Sequence, residues 1–309
     1  MNIVFMGTPG FAVQSLLKLV ESRHQVVGVV TVPDKPQGRG QKLGVSDVKK
    51  QAEALGLPVL QPESLKDPAF LDSLKQWKAD CFAVVAFRIL PAEVFEMPPL
   101  GTVNLHASLL PKYRGAAPIQ WALMNGDSVS GVTTFFIQKK VDTGDILFQK
   151  EVDIADWMNA GDLHDALSVA GAELLVQTMD AIETGSVQTN RQEGDVTQAP
   201  KILPEHCLID WNRSAKAIRN QIRALSPMPG AFTQLRDQRL KIYRAIVSDI
   251  ADKNCKPGQL VVKEKDTLIV ATGDGSIGLE EVQIQGKKKM EIGDFLRGFP
   301  LQPHDHLGE

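Results

Sequence analysis

Cysteine is scarce in this sequence, and its scarcity limits how the protein can be stabilised. The 309 residues include three cysteines, Cys81, Cys207 and Cys255, and no two of them form a C-x-x-C pair. Their wide spacing argues against a disulfide framework and against a structural zinc site. The six histidines are also scattered, so we expect a protein of a reducing compartment that holds no metal.

Long apolar runs and a secretory leader are missing as well. No apolar stretch approaches the length that spans a bilayer. The sequence opens directly on a strand-like segment, residues 2–6, rather than on a signal-peptide pattern. A hydrophobic content of 43% and a charged content of 23% are typical of a globular protein. We therefore expect a cytoplasmic protein that makes no membrane contact.

A strong excess of one charge is absent too, and the net charge of −3 excludes a chain that is basic throughout. The charge is unevenly distributed, however. Residues 206–309 hold 16 basic and 13 acidic side chains, whereas residues 1–205 hold 18 basic and 24 acidic ones. We expect the two parts to have different partners.

The first sixty residues alternate between strand-like and helix-like patterns. Apolar runs at 3–6 and 26–32 flank a helical pattern from Phe11 to about Glu21. This order indicates a βαβ unit with a parallel sheet. The intervening turn has proline at position 9 and alanine at position 12, where a dinucleotide-binding motif needs glycine. We expect this turn to line a substrate crevice at the carboxyl edge of the sheet instead.

Residues 102–115 carry the pattern with the most chemical content, T-V-N-L-H-A-S-L-L-P-K-Y-R-G. Strand-like alternation places Asn104 and His106 on one face. An amide donor beside a group that titrates near neutrality suits acyl transfer, because the amide polarises a carbonyl while the imidazole moves a proton. An ordinary strand end with a buried histidine is the alternative, and the pair alone does not exclude it.

The residues that follow decide between these two interpretations. The segment N-L-H-A-S-L-L-P-K-Y-R-G-A-A-P-I-Q resembles the signature of the folate-dependent formyltransferases, most closely the methionyl-tRNA formyltransferases. The resemblance runs from G-T-P near the start to G-K-K-K-M near the end. It implies transfer of a formyl group from 10-formyltetrahydrofolate to the α-amino group of methionyl-tRNA. The implied partners are folate and the aminoacylated initiator tRNA, and we expect a monomer.

The resemblance also implies roles for individual residues. Catalysis would rest on Asn104, His106 and an aspartate of the downstream V-D-T-G-D segment, Asp142. The implied folate-binding residues are contiguous: Ser108, Leu109, Leu110 and Pro111. Residues 87–91 read F-R-I-L-P, whereas the family has Tyr-Gly and one more residue before Ile-Leu-Pro. That segment contacts the pterin ring in the family, so we expect the ring pocket to differ in detail.

Basic residues in both parts of the chain are candidates for contacts with tRNA. Residues 31–43 read T-V-P-D-K-P-Q-G-R-G-Q-K-L, which predicts an exposed basic loop. It resembles the insertion by which methionyl-tRNA formyltransferases hold the tRNA acceptor end, although a solvated connection is the alternative. The candidate phosphate-binding side chains are Lys35, Arg39 and Lys42 here, and Arg219, Arg223, Lys287, Lys288 and Lys289 in the second part.

Two domains account for the length and the change of pattern. Residues 1–205 are expected to form a doubly wound, Rossmann-like catalytic domain with a mostly parallel sheet, including a polar linker from about residue 185. Residues 206–309 begin with a helical pattern at 214–225 and continue as short strands separated by turn residues. This order predicts a small C-terminal OB-like β-barrel, to which we assign tRNA binding.

Two other functions remain open on the sequence alone. The first alternative is another folate-dependent formyltransferase, or a formyl-folate hydrolase, that acts on a small molecule. The basic loop and the second domain argue against this, since a small acceptor needs neither. The more distant alternative is a non-catalytic binding protein, which leaves Asn104, His106 and Asp142 without a purpose.

Overall fold

A seven-stranded mixed sheet organises the first part of the chain. In the computed structural model the strands of this part are, in chain order, β1 (Asn2–Gly7), β2 (Gln25–Val30), β3 (Lys35–Gln37), β4 (Lys42–Gly44), β5 (Val59–Leu60), β6 (Cys81–Val85), β7 (Thr102–His106), β8 (Arg114–Gly115), β9 (Val129–Phe136), β10 (Ile146–Asp153) and β11 (Gln198–Ala199). The order in the main sheet is β10-β9-β7-β6-β1-β2-β5. The pairings from β7 through β5 are parallel, and those of β9 with β7 and β10 are antiparallel.

Helices occur between and after the strands along the chain. The described helices are α1 (Phe11–Glu21), α2 (Asp47–Ala54), α3 (Pro68–Gln76), α4 (Ala92–Phe95), α5 (Pro118–Asn125), α6 (Ala160–Glu183), α7 (Pro204–Cys207), α8 (Ala215–Ala224) and α9 (Ile292–Gly298). None of the helices in the described part of the chain combines the length and apolar character that crossing a membrane requires.

The structure describes residues 1–37, 42–250, 252, 254–302 and 305–308. The chain forms two compact units. The first comprises Met1–Ala116, Val129–Asp153 and His164–Ala199, and the second comprises Ala117–Ser128, Ile154–Leu163 and Pro200–Glu309. Two internal segments therefore belong to the second unit. The domain boundary at residue 205 stays a prediction.

Burial explains why the central strands are parallel. All five residues of β6 are buried, and so are all but the first of β1. Strands covered on both faces are typical of parallel sheets, whose crossover helices lie on each side. Val4 and Phe82, from these two strands, share an apolar cluster with Phe70 and Leu74 of α3. The βαβ interpretation of the first sixty residues is confirmed.

Capping residues set the starts of two helices. The Ser46 hydroxyl accepts a hydrogen bond from the Lys49 amide at 3.1 Å, and α2 starts at the next residue. The Ser214 hydroxyl accepts from the Ala217 amide at 3.3 Å at the start of α8. Each cap satisfies an amide that has no partner within its helix. The start of α8 agrees with the helical pattern predicted for residues 214–225.

An antiparallel sheet dominates the second unit. Its strands are β12 (Ala231–Leu235), β13 (Gln238–Ser248), β14 (Leu260–Lys263), β15 (Leu268–Ala271), β16 (Ser276–Ile284) and β17 (Met290–Glu291). They follow the order β12-β13-β16-β15-β14, and β17 also pairs with β16. Leu307 bridges to Leu235 at the end of β12, and His306 bridges to Gln259 beside β14. Residues 306–307 therefore pair at both edges of the sheet, with β12 and beside β14, as expected for a small, partly open barrel.

Two segments contain more pairing than the sequence analysis predicted. The predicted basic loop holds the antiparallel pair β3 and β4, in which Lys35 lies opposite Gly44. The predicted polar linker holds β11, which pairs in parallel with β8. Backbone pairing creates both features, and neither leaves a periodic pattern of side chains.

Candidate active site

Strand β7 carries the two polar side chains singled out in the sequence. Alternation along the strand puts Asn104 and His106 on one face. His106 is 7% exposed, and its Nε2 lies 2.9 Å from the carbonyl oxygen of Tyr113. Because a carbonyl oxygen only accepts, Nε2 carries the proton and Nδ1 is the acceptor of the neutral ring. Asn104 is half-buried, and no described residue makes a hydrogen bond to its side chain.

The loop after β7 is tied to β9 and β10. The Thr133 hydroxyl donates to the carbonyl of Ser108 at 2.6 Å and accepts from the amide of Leu110 at 3.1 Å. The Gln149 amide group donates to the Leu110 carbonyl at 2.9 Å. The buried hydroxyl of Ser108 donates back to the Lys112 carbonyl at 2.6 Å. These bonds hold the backbone of residues 108–112 in one conformation.

Two leucines of the same loop are also held by packing. Leu110 is buried with Phe135 and Ile146 in a small apolar cluster. Leu109 lies against Gly131, where a Cβ atom would stand 2.5 Å from the Leu109 Cδ2. A glycine is therefore needed in β9 for Leu109 to keep this position.

Asp142 lies in the loop between β9 and β10 and has a left-handed backbone, with φ at 54°. Its Oδ2 accepts a hydrogen bond from the amide of Gly115 at 2.9 Å. His106 contacts Tyr113, two residues before that glycine. The structure thus brings His106 and Asp142 to one short loop segment, residues 113–115.

Gln192 joins the two loops, and sequence reasoning missed it. Its amide nitrogen donates to the carbonyl of Asp142 at 3.0 Å and to that of Gly144 at 2.8 Å. Its amide oxygen accepts from the guanidinium of Arg114 at 3.1 and 2.6 Å. Gln192 lies in the stretch interpreted as a linker, which has no periodicity. No local pattern in the sequence distinguishes Gln192 from its neighbours.

Two neighbouring positions at the carboxyl edge of the sheet show buried polar atoms that lack a hydrogen-bond partner among the described residues. These atoms are the Oγ1 of Thr8, just after β1, and the Nε of Arg88, after β6. Carboxyl ends of parallel strands meet at one edge, and β7 ends there as well. The remaining guanidinium nitrogens of Arg88 donate to the Glu63 and Pro62 carbonyls at 3.0 and 2.8 Å. Burial lowers the pKa of this guanidinium.

Two of the three candidate tRNA-binding cations of the first unit lie in the paired strands β3 and β4. Lys35 is exposed and begins β3. Lys42 begins β4, opposite Gln37. Arg39 lies outside the described residues. The structure therefore brings Lys35 and the backbone of Lys42 to one exposed hairpin.

Most of the candidate cations of the second unit already have partners. Arg219 donates from Nη1 and Nη2 to the two carboxylate oxygens of Asp156, each at 2.8 Å, and this contact lowers the pKa of the carboxyl group. Arg223 donates to the side-chain oxygen of Asn220 at 3.0 Å. Lys289 pairs with Glu281, and all three lysines of the run, Lys287, Lys288 and Lys289, are exposed.

One group of potential metal ligands occurs among the described residues. Atoms of His24, Asp180 and Glu183 lie within 4.8 Å of one another. Arg23 pairs with both carboxylates, at 2.6 and 3.0 Å, and the amino group of Met1 pairs with Glu183. Because cations of the protein already balance these acids, we assign no metal to the group.

Family models match both parts of the chain. One described as formyl transferase matches residues 1–179, and one described as formyl transferase, C-terminal domain, matches residues 201–300. The chain belongs to the formyl transferase family. Asn104, His106, Asp142 and the loop at 108–111 all lie inside the first match.

Relatives within the formyl transferase family match nearly the whole chain. The methionyl-tRNA formyltransferase of Pelotomaculum thermopropionicum is 46% identical over 310 residues, covering 100% of this chain and 99% of that protein. The methionyl-tRNA formyltransferase of Parabacteroides distasonis is 49% identical over 311 residues, covering 97% of this chain and 96% of that protein.

Solved structures of formyl transferases and related proteins share the fold. HypX from Aquifex aeolicus, in complex with tetrahydrofolic acid, has a TM-score of 0.66 and 17% identity, covering 96% of this chain and 47% of that one. Methionyl-tRNA formyltransferase from Clostridium thermocellum has a TM-score of 0.55 and 20% identity, covering 83% and 95%. At such identities the likeness concerns the fold alone. The predicted fold class, a mostly parallel sheet followed by an antiparallel one, is confirmed.

Proposed function

We propose that this chain transfers the formyl group of 10-formyltetrahydrofolate to the α-amino group of methionyl-tRNA. The product, N-formylmethionyl-tRNA, would serve translation initiation in the cytoplasm. The observation that carries the proposal is the 46% and 49% identity to methionyl-tRNA formyltransferases over almost the full length of both chains. The arrangement around β7 supports the chemistry.

The side chain of Asn104 suits the stabilisation of an oxyanion. Attack of an amine on a formyl carbon places negative charge on the formyl oxygen. The Asn104 amide is half-buried and has no hydrogen-bond partner among the described residues, so it is available to donate to that oxygen. A preorganised donor of this kind contributes about 2.7–4 kcal/mol to the transition state.

His106 suits the transfer of the proton. The attacking amine loses a proton when the new carbon–nitrogen bond forms, and the folate nitrogen gains one when the old bond breaks. Because the Tyr113 carbonyl keeps the proton on Nε2, Nδ1 of His106 accepts from the amine and then donates to the departing nitrogen. His106 ends the cycle in the state in which it began.

Asp142 acts on this ring through the loop rather than by direct contact. Its carboxylate holds the amide of Gly115, and the carbonyl of Tyr113 in the same loop holds the imidazole. A negative charge beside the loop also favours the positive ring that forms during proton transfer. We therefore assign Asp142 a positioning and electrostatic role.

The carboxyl edge of the sheet fits a folate co-substrate. Thr8 and Arg88 there present buried polar atoms without partners among the described residues, and a pterin ring is rich in groups that hydrogen-bond to such atoms. The backbone of residues 108–111 is held rigidly beside Asn104 and His106. We assign folate binding to Ser108, Leu109, Leu110 and Pro111, with Arg88 in place of the family's usual residues. No metal has a part in this mechanism.

We assign the tRNA contacts to both parts of the chain, divided at residue 205. Lys35, Arg39 and Lys42 would hold the acceptor end. The second part would bind phosphates through the exposed Lys287 and Lys288 and through the remaining candidates, Lys289, Arg219 and Arg223. Arg219 must exchange its carboxylate partner for a phosphate to do so.

One assay tests the proposed function. The protein is mixed with 10-formyltetrahydrofolate and with methionyl-tRNA, free methionine or an amino sugar, and release of tetrahydrofolate is followed. We expect release only with methionyl-tRNA, and much less of it with Asn104→Ala. Release with the amino sugar instead would show a small-molecule formyltransferase, and release without any acceptor would show a hydrolase.

A further inference from the structure

A groove runs across the outer surface of the antiparallel sheet, where β12, β13 and β16 pair. Its volume is about 470 Å³, and the side chains that matter here are Gln234, Arg239, Lys241, Gln283 and Gln285. Gln234 lies opposite Arg239 in the register, and Lys241 lies opposite Gln283. We call this feature the barrel groove.

The strand pattern explains why these polar side chains share one surface. Leu240 and Ile242 of β13 are fully buried in the core of the unit. Because side chains alternate along a strand, Arg239 and Lys241 project from the opposite face. Neither residue stands out in the sequence as a candidate for RNA binding, because an isolated cation in a strand has no pattern of its own.

The barrel groove keeps its positive charge. No described carboxylate lies within ion-pair distance of Arg239 or Lys241; Lys241 donates to the backbone carbonyl of Pro229 at 2.7 Å. Arg244 of the same strand differs, since it pairs with Glu280 and Glu291 at 3.0 and 2.9 Å. One acidic residue, Asp237, lies among the described residues that line the groove.

The barrel groove also offers a planar surface for stacking. The guanidinium of Arg239 lies 4.2 Å from the centre of the Phe232 ring, which holds its plane against the sheet. Arg239 remains exposed, so its outer face is open to a flat ligand. No described group makes a hydrogen bond to the side chain of Gln234, which adjoins it. An amide beside a stacking plane is suited to the edge of a nucleic-acid base.

We propose that the barrel groove binds one nucleotide of an RNA strand, with its phosphate between Arg239 and Lys241 and its base on the guanidinium of Arg239. Two cations that pair with no described carboxylate would fit any anion. The stacked guanidinium and the adjacent amide favour a nucleotide. The proposal rests on the proposed function, in which the RNA is the methionyl-tRNA substrate.

Three variants separate charge from stacking. Arg239→Gln combined with Lys241→Gln removes both charges. Arg239→Lys keeps the charge and removes the plane. Arg244→Gln is the matched control, because it removes one charge from the same strand at a side chain already paired with two carboxylates. Thermal unfolding of each variant verifies that it is folded.

The readouts are the dissociation constant of unacylated tRNA over a range of salt concentrations, and kcat and KM for formyl transfer. The double variant should flatten the log–log salt slope by about 0.7–0.9 for each phosphate that the groove no longer neutralises, and it should raise KM with kcat unchanged. Arg239→Lys should keep the slope of the wild type and weaken binding about fivefold or more. Arg244→Gln should match the wild type.

Several results would overturn the groove assignment. Wild-type affinity and slope in the double variant would do so, as would an equal loss of affinity in Arg244→Gln. Inorganic phosphate that displaces tRNA better than chloride at the same ionic strength would identify a simple anion site instead. The proposed function is judged separately. If the wild type formylates no methionyl-tRNA while the double variant still loses RNA affinity, the groove assignment is supported and the proposed function is wrong.

Discussion

Replacing Gln192 with alanine should loosen the connection between the two loops of the candidate active site. The glutamine donates to the carbonyls of Asp142 and Gly144 and accepts from the guanidinium of Arg114. Arg114 immediately follows Tyr113, whose carbonyl holds His106. The carboxylate of Asp142 provides a second link, because it accepts a hydrogen bond from the amide of Gly115. The Gln192→Ala change therefore removes a link between the histidine and the aspartate while leaving both in place.

The size of the effect follows from the hydrogen bonds that Gln192 makes. Each bond to a backbone carbonyl contributes about 0.5–1.5 kcal/mol, and one to a charged group about 1.5–3 kcal/mol. The two bonds from Arg114 share one oxygen, so we treat them as a single bond. Gln192 is half-buried, so water replaces part of the hydrogen bonding that the variant loses. We expect the free energy of unfolding to fall by about 2–3 kcal/mol. A catalytic group displaced by about 1 Å costs roughly 100-fold in rate, so kcat should fall about 10- to 100-fold.

The assay compares kcat, KM for formyl-folate and the free energy of unfolding in three variants. Gln192→Glu retains an acceptor for Arg114 but cannot donate to the two carbonyls, so it should recover some stability and little of kcat. Gln188→Ala, an exposed glutamine four residues earlier, should match the wild type. A folded Gln192→Ala protein with kcat within about twofold of the wild type would refute the coupling of the loops.

Four further substitutions test other parts of the structure. His106→Ala should lower kcat by roughly 100-fold or more with little change in melting temperature, and near-normal turnover would remove the proposed proton transfer. Gly144→Ala should cost about 3 kcal/mol or more in unfolding free energy, because its Cβ would lie 1.7 Å from the Phe136 carbonyl oxygen. Gly185→Ala, with nothing within 4 Å but a φ of 66°, should cost only about 1 kcal/mol, so equal costs in denaturant titrations would contradict the steric argument. Burial lowers the pKa of His24 from its ordinary 6.5, so the unfolded chain binds a proton first and the unfolding free energy falls as the pH drops from 6.5 through the lower folded-state value. His24→Gln should lose less stability than the wild type between about pH 7 and about pH 5, and parallel losses would exclude this group as the cause.

Local patterns determined much of this protein from the sequence. Continuous apolar runs predicted the buried parallel strands, and helical patterns predicted α1 and α8. Alternation along β7 put Asn104 and His106 on one face. These features depend on residues a few positions apart, whose side-chain periods of 2 and 3.6 are visible in one dimension. The ordered N-x-H and S-L-L-P residues also indicated the family, although the catalytic roles themselves stay predictions.

Only the tertiary structure decided how the loops of the site are held. The Tyr113 carbonyl selects the tautomer of His106, and Gln192 reaches across some 50 residues of sequence to Asp142. Arg219 likewise pairs with Asp156, 63 residues away, so its guanidinium is already engaged by a carboxylate. Hydrogen bonds between distant segments depend on where the backbone folds, and neither residue type nor local spacing encodes them. The carbonyl of Tyr113 illustrates this most clearly, because every residue has a carbonyl and the fold alone places this one against His106.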